Sequence, residues 1–158
     1  MQNIFRKAQS EKEYTIFYGE VCERFIKLEL SLRNMKVTIQ FMKLSSFRKM
    51  LFEVCKQCFE KFFDKGEKAK LEGNIETQIK FTQKLFGNLD FVGELYRRKI
   101  LPETILISVF NSLLGISDMN NEIEDFNIEG AVKLMDKTGQ NFEERSFQKK
   151  NKFESKDG

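Results

Sequence analysis

Two clusters in this 158-residue sequence carry residue types able to do chemistry: Cys55-Lys56-Gln57-Cys58 and Arg97-Arg98-Lys99. The first has the spacing of a dithiol redox pair or of half a zinc site. A redox pair sits at a helix N-terminus, where the helix dipole favours thiolate. Here both thiols fall on the apolar stripe of a predicted helix, far from its start. No second ligand pair exists, and the chain contains no His. Buried thiols behave as small apolar side chains, so the pair reads as core packing. The absence of His also removes Ser-His and Cys-His nucleophile pairs and imidazole metal ligands. Three Cys cannot all pair, which argues against a secreted disulfide framework. Glu23/Lys27 and Glu53/Lys56 have ordinary helix-surface spacing, and no carboxylate doublet marks an acid–base site. Gly87-Asn88-Leu89 lies in no phosphate-loop pattern.

That leaves Arg97, Arg98 and Lys99 as the candidate residues for RNA or partner contact. They close a predicted helix, where cations complement the negative end of the dipole. The same cluster could instead neutralise phosphates and release counterions from RNA, with Lys149, Lys150 and Lys152 adding to it. The net charge of +3 is too small to decide between these readings, but its distribution is uneven. Residues 1–63 hold 12 Lys and Arg against 7 Asp and Glu, whereas 116–144 hold 8 acids against Lys133 and Lys137.

The elements that must position these residues are helical. One Pro in 158 residues favours uninterrupted helices, and 17 Phe are too many for a disordered chain. Spacings of three and four predict helices over about 3–8, 14–32, 47–63, 76–99, 103–114 and 127–138. The second carries Tyr14, Phe17, Tyr18, Val21, Cys22, Phe25 and Ile26 on one face. The third, after a Ser45-Ser46 cap, carries the cleanest stripe, from Phe47 through Leu51, Cys55 and Phe59 to Phe63. The fourth buries Ile79, Leu85, Leu89, Val92 and Tyr96, with Gly87 and Gly93 marking close backbone approach to neighbouring helices. Pro102 fits the first turn of the next helix, which stops at Gly115. Asn127 is the expected cap of the last helix, Ile128, Ala131, Val132 and Met135 its inward stripe, and Gly139 its stop. The alternating stretch 36–44 reads as an extended connector, and 145–158 as a polar, disordered tail. No apolar run reaches the roughly 18 residues of a bilayer span, and no signal peptide is visible. The chain is expected to be soluble and cytoplasmic, with no metal or cofactor and no membrane partner.

Three stretches resemble a known family. Leu85-Phe86-Gly87-Asn88-Leu89-Asp90-Phe91-Val92-Gly93-Glu94-Leu95-Tyr96, continuing into Arg97-Arg98-Lys99-Ile100-Leu101-Pro102-Glu103, resembles the most characteristic segment of the middle domain of eukaryotic translation initiation factor 4 gamma. Phe47–Glu60 is similar to an FR-K-LL…C…FE helix of that family. Ile128–Phe142, carrying Lys137-Thr138-Gly139-Gln140, is similar to its closing segment. The resemblance covers about 140 of the 158 residues in matching order.

It implies an all-α fold, a right-handed stack of antiparallel helix pairs (a HEAT-type α-solenoid). Residues 1–144 would form a partial domain of about five helices, roughly two pairs short of the family's own. It further implies a non-catalytic scaffold in cap-dependent translation initiation. The implied partners are a DEAD-box RNA helicase, mRNA, and a multisubunit initiation factor on the small ribosomal subunit. Arg97, Arg98 and Lys99 match the family's basic turn. A helical-repeat module of another mRNA-metabolism factor, of the decay or nuclear cap-binding type, is the alternative.

Overall fold

The computed structural model describes residues 2–34, 47–64, 73–116 and 123–154. These form six α-helices and one 3-10 turn, with no strand among the described residues. The helices are α1 (Gln2–Ser10), α2 (Thr15–Asn34), α3 (Phe47–Phe63), α4 (Ile75–Arg97), α5 (Glu103–Leu113) and α6 (Asp125–Glu154), and the 3-10 turn is Lys12–Tyr14. The fold is all-α. The expected cap at Ser45-Ser46 and the connector at 36–44 lie outside the described residues.

Helix α4 is the centre of the molecule. It packs against α1, α2, α5 and α6, and every residue from Phe91 to Tyr96 is buried. A helix buried on all sides must be apolar all round. Leu85, Leu89, Phe91, Val92 and Leu95 meet that demand, each contributing about 1.5–3 kcal/mol of burial. Asn74 starts the helix, its side chain accepting from the Thr77 amide at 3.0 Å. At the other end Lys99 takes φ 60°, and the Ile100 amide reaches back to the Leu95 carbonyl at 2.9 Å. This left-handed cap normally uses Gly.

Paired residues give the helix directions. Phe62 meets Phe81 with ring centroids 5.3 Å apart, while Arg48 reaches Ile100 at the opposite end, so α3 and α4 run antiparallel. Leu89 meets Gly130, Asp90 meets Lys137, and Tyr96 meets Arg145, so α4 and α6 run parallel. Helix α1 runs against α4, with Gln9 beside Gly87 and Phe5 edge-on to Phe91 at 5.0 Å.

Of the two glycines expected to mark close backbone approach, Gly87 meets the backbone of α1, whereas Gly93 meets side chains of α6. A Cβ on Gly87 would stand 2.2 Å from the Gln9 carbonyl oxygen, and one on Gly93 would stand 2.9 Å from the Lys137 Cδ. The α3 stripe is inward, with Leu51, Cys55 and Phe59 buried. Gly115 ends α5 at φ 62°, and Pro102 stands one residue before α5.

Other expectations need correction. Helix α6 passes Gly139 without a break and continues to Glu154, so the residues assigned to a tail from Arg145 extend a helix. Phe142 packs against the core, and Arg145 is tied to Tyr96, which anchors the extension. Asn127 is not the cap of α6: it lies within the helix and is buried. The inward face of α6 is Asn127, Ala131, Leu134 and Thr138, whereas Ile128, Val132 and Met135 are exposed. Thr138 tolerates burial because its hydroxyl donates to the Leu134 carbonyl at 2.7 Å. Ile79 is exposed as well, and α2 leaves Phe17 and Phe25 half-exposed although Cys22 is fully buried. Lys56 pairs with Glu60, at 3.8 Å.

Candidate functional site

The three basic residues singled out in the sequence sit together at the α4 C-terminus, but in different states. Arg98 is turned inward. Its Nε donates to Glu94 Oε1 at 2.8 Å, one terminal nitrogen donates to Glu23 Oε2 at 2.8 Å, and the other reaches the Ile16 carbonyl at 3.4 Å. Glu94 is only 4% exposed, and without this arginine its carboxylate would be an uncompensated buried charge. Burial works against the Arg98 charge, but the bonds to Glu23 and Glu94 more than restore it and hold its pKa up. Bonds from Lys27 and then Arg98 hold the Glu23 carboxyl below its usual range. Gly19 on α2 makes the room: a Cβ there would stand 2.8 Å from the Glu94 side chain.

Arg97 and Lys99 face outward. Arg97 is exposed and makes a single long contact with Glu94, at 3.4 Å. Lys99 is exposed on the left-handed cap.

Two further arginines join them, and reading the sequence did not find either. Arg48 of α3 donates to the Ile100 carbonyl at 2.8 Å and to the Lys99 carbonyl at 3.2 Å. Arg145 of α6 donates to the Tyr96 carbonyl at 2.6 Å, with its guanidinium 4.0 Å over the Tyr96 ring. Lys99 and Ile100 follow the helix, and the Tyr96 carbonyl in its last turn also accepts from the Lys99 amide at 2.9 Å, so the two guanidiniums tie neighbouring helices to the backbone at the α4 C-terminus. Arg48 stands in the quoted FR-K stretch, which was a signal; Arg145 had none, because only the fold brings it here. Arg48, Arg97, Lys99 and Arg145 thus line one corner, with Arg98 behind them as the internal tie.

The cysteines do no visible chemistry. Burial pushes the Cys22 thiol up to about 11 and the Cys55 thiol higher still, and Cys58 is also raised. Thiols held protonated are poor nucleophiles. Among the described residues no group of three or more His, Cys, Asp or Glu is placed to hold a metal ion. No described helix is long and apolar enough to cross a membrane.

Comparison with known proteins bears on what this corner belongs to. Over 157 residues, covering 89% of the chain, it is 29% identical to a protein of Cucumis melo. Over 152 residues, 88% of the chain, it is 26% identical to one of Arabidopsis thaliana. Both are named eukaryotic translation initiation factor 4G.

The chain resembles initiation factor 4G.

Eukaryotic translation initiation factor 4 gamma 1 of Mus musculus is 28% identical over 133 residues, 73% of the chain. The chain spans 8% of the length of each of these 4G relatives. No family model and no solved structure matches it. The Leu85–Tyr96 stretch is almost wholly interior, with the Gly87 backbone against that of Gln9 and Glu94 paired with Arg98.

Proposed function

We propose that the chain acts as a non-catalytic scaffold segment in cap-dependent translation initiation, working in the cytoplasm and binding mRNA and a DEAD-box RNA helicase. The observation that carries this reading is the likeness to initiation factor 4G along most of the chain, in plants, a mammal and Dictyostelium discoideum. The close backbone contact at Gly87 and the Arg98 tie between α2 and α4 support reading the helix stack as a platform. Such a platform would bridge the two lobes of a helicase and bias them towards the ATP-competent arrangement. Contact with a multisubunit initiation factor on the small ribosomal subunit belongs to the same reading.

RNA would meet the corner formed by Arg48, Arg97, Lys99 and Arg145. Arg98 is left out of this surface because the Glu23 and Glu94 carboxylates neutralise it, whereas Arg48 and Arg145 bond neutral carbonyls and keep their charge. If the four cations of this corner each neutralise one phosphate, log affinity for single-stranded RNA falls against log salt with a slope of about −3. Titrating a labelled oligouridine at several salt concentrations tests this. A slope near zero, or one unchanged in the Arg97→Gln/Lys99→Gln variant, removes the corner from RNA binding.

A further inference from the structure

We propose that the groove between α1, α3 and α4 docks an acidic segment of a partner protein through a single apolar side chain. The groove has a cavity of about 380 Å3 and opens on the opposite end of α3 from the Arg48 corner. Its lining includes Phe5, Cys58, Phe62 and Phe81. Two cations, Arg6 and Lys61, stand among its lining residues, and no Asp or Glu does among the described residues. Among the described residues the Arg6 side chain donates to the neutral Asn3 side chain on its own helix, and neither Arg6 nor Lys61 stands in an ion pair.

The chemistry of an occupant follows from these facts. A mostly apolar groove of this volume, with Phe62 and Phe81 in its lining, accommodates one large apolar side chain. Two uncompensated cations at its edge favour acidic residues on either side of that anchor. A helix or extended strand with one apolar residue between carboxylates satisfies both. Nucleic acid fits less well, because its affinity grows with the number of phosphates neutralised and the groove supplies only two cations. The proposal is independent of the RNA corner, which shares no residue with the groove.

The test uses the full chain and a set of fluorescent eight-residue peptides, Glu and Asp throughout except for one central Phe, Leu, Ile, Met or Trp. Binding is read by anisotropy and by the alkylation rate of Cys58, which lines the groove and is partly exposed while Cys22 and Cys55 are fully buried. At least one peptide should bind saturably and slow Cys58 alkylation fivefold or more. Its affinity should fall at least tenfold when the central residue becomes Ser. It should fall equally with Arg6→Glu/Lys61→Glu, two exposed positions whose replacement leaves the helical circular dichroism unchanged. If no peptide binds, or if binding ignores both changes, the proposal is overturned. It is overturned too if an oligouridine protects Cys58 and no peptide does, which would assign the groove to nucleic acid.

Discussion

The backbone of Gly87 rests against the carbonyl of Gln9 so closely that a Cβ would stand 2.2 Å from the oxygen. Helix α1 therefore crosses α4 with backbone, not side chain, as the spacer. Ala in a helix interior is ordinarily about 1 kcal/mol better than Gly. Here the sign reverses: Gly87→Ala should destabilise by about 1–3 kcal/mol through overpacking. Urea unfolding measures it, and a stabilised variant would show that α1 is not seated there.

Gly93→Ala should cost less, because the atoms a Cβ would meet belong to the flexible Lys137 side chain. Gly93→Leu should again cost about 1–3 kcal/mol. Melting temperatures of the pair separate a movable neighbour from a fixed one; equal losses would contradict the distinction.

Replacing Arg98 by Met strands Glu94 in the interior. The expected loss is about 3 kcal/mol, with partial rescue by Glu94→Gln, which removes the carboxylate needing a partner. Acid unfolding gives a second readout. The folded pKa of Glu23 is lowered below its ordinary 4.5, with bonds from Lys27 and Arg98 as the leading causes. Its contribution is therefore present above pH 4.5 and lost as pH falls towards the folded value. Arg98→Met should flatten that acid limb, and an unchanged limb would mean the Glu23 contact is weak in solution.

The thiols act at the alkaline end. Unfolded Cys22 ionises near 9, whereas burial holds the folded thiol protonated to about 11. Stability is complete below pH 9 and declines as pH rises from 9 to 11. Cys22→Ser should weaken that decline, since its hydroxyl does not ionise there. A native-state alkylation series should find Cys58 reacting first, with Cys22 and Cys55 modified only on unfolding.

Lys99 holds φ 60° where a helix end favours Gly. Lys99→Gly should leave the fold intact or stabilise it by up to about 1 kcal/mol. It should also reduce the salt slope of RNA binding by about 0.7, the share of one cation on a single strand. A variant that melts earlier would place the lysine in a structural contact.

Local pattern revealed much of this fold. The α3 stripe, the two glycines of α4 and the stop at Gly115 follow from spacing and from backbone freedom at one residue. The phase of α6 did not, because two adjacent stripes compete there. Ile128, Val132 and Met135 look more apolar than Asn127 and Thr138, yet the latter face inward. Nothing local distinguishes Arg98, which ties α2 to α4, from Arg97 beside it. Arg48 and Arg145 lie 51 and 46 residues from Lys99 in the chain, so only packing brings them to one corner. Likewise the α3 N-terminus draws on a distant group: the Phe47 amide donates to the Glu29 carboxylate of α2 at 2.9 Å.

The scaffold reading is tested most directly by titrating the folded chain against a DEAD-box helicase of the initiation type in a calorimeter. The account predicts saturable binding that disappears when Gly87→Leu forces α1 off α4. A chain whose circular dichroism is fully helical, and which nonetheless gives no binding heat and does not change the helicase's ATPase rate, would contradict it.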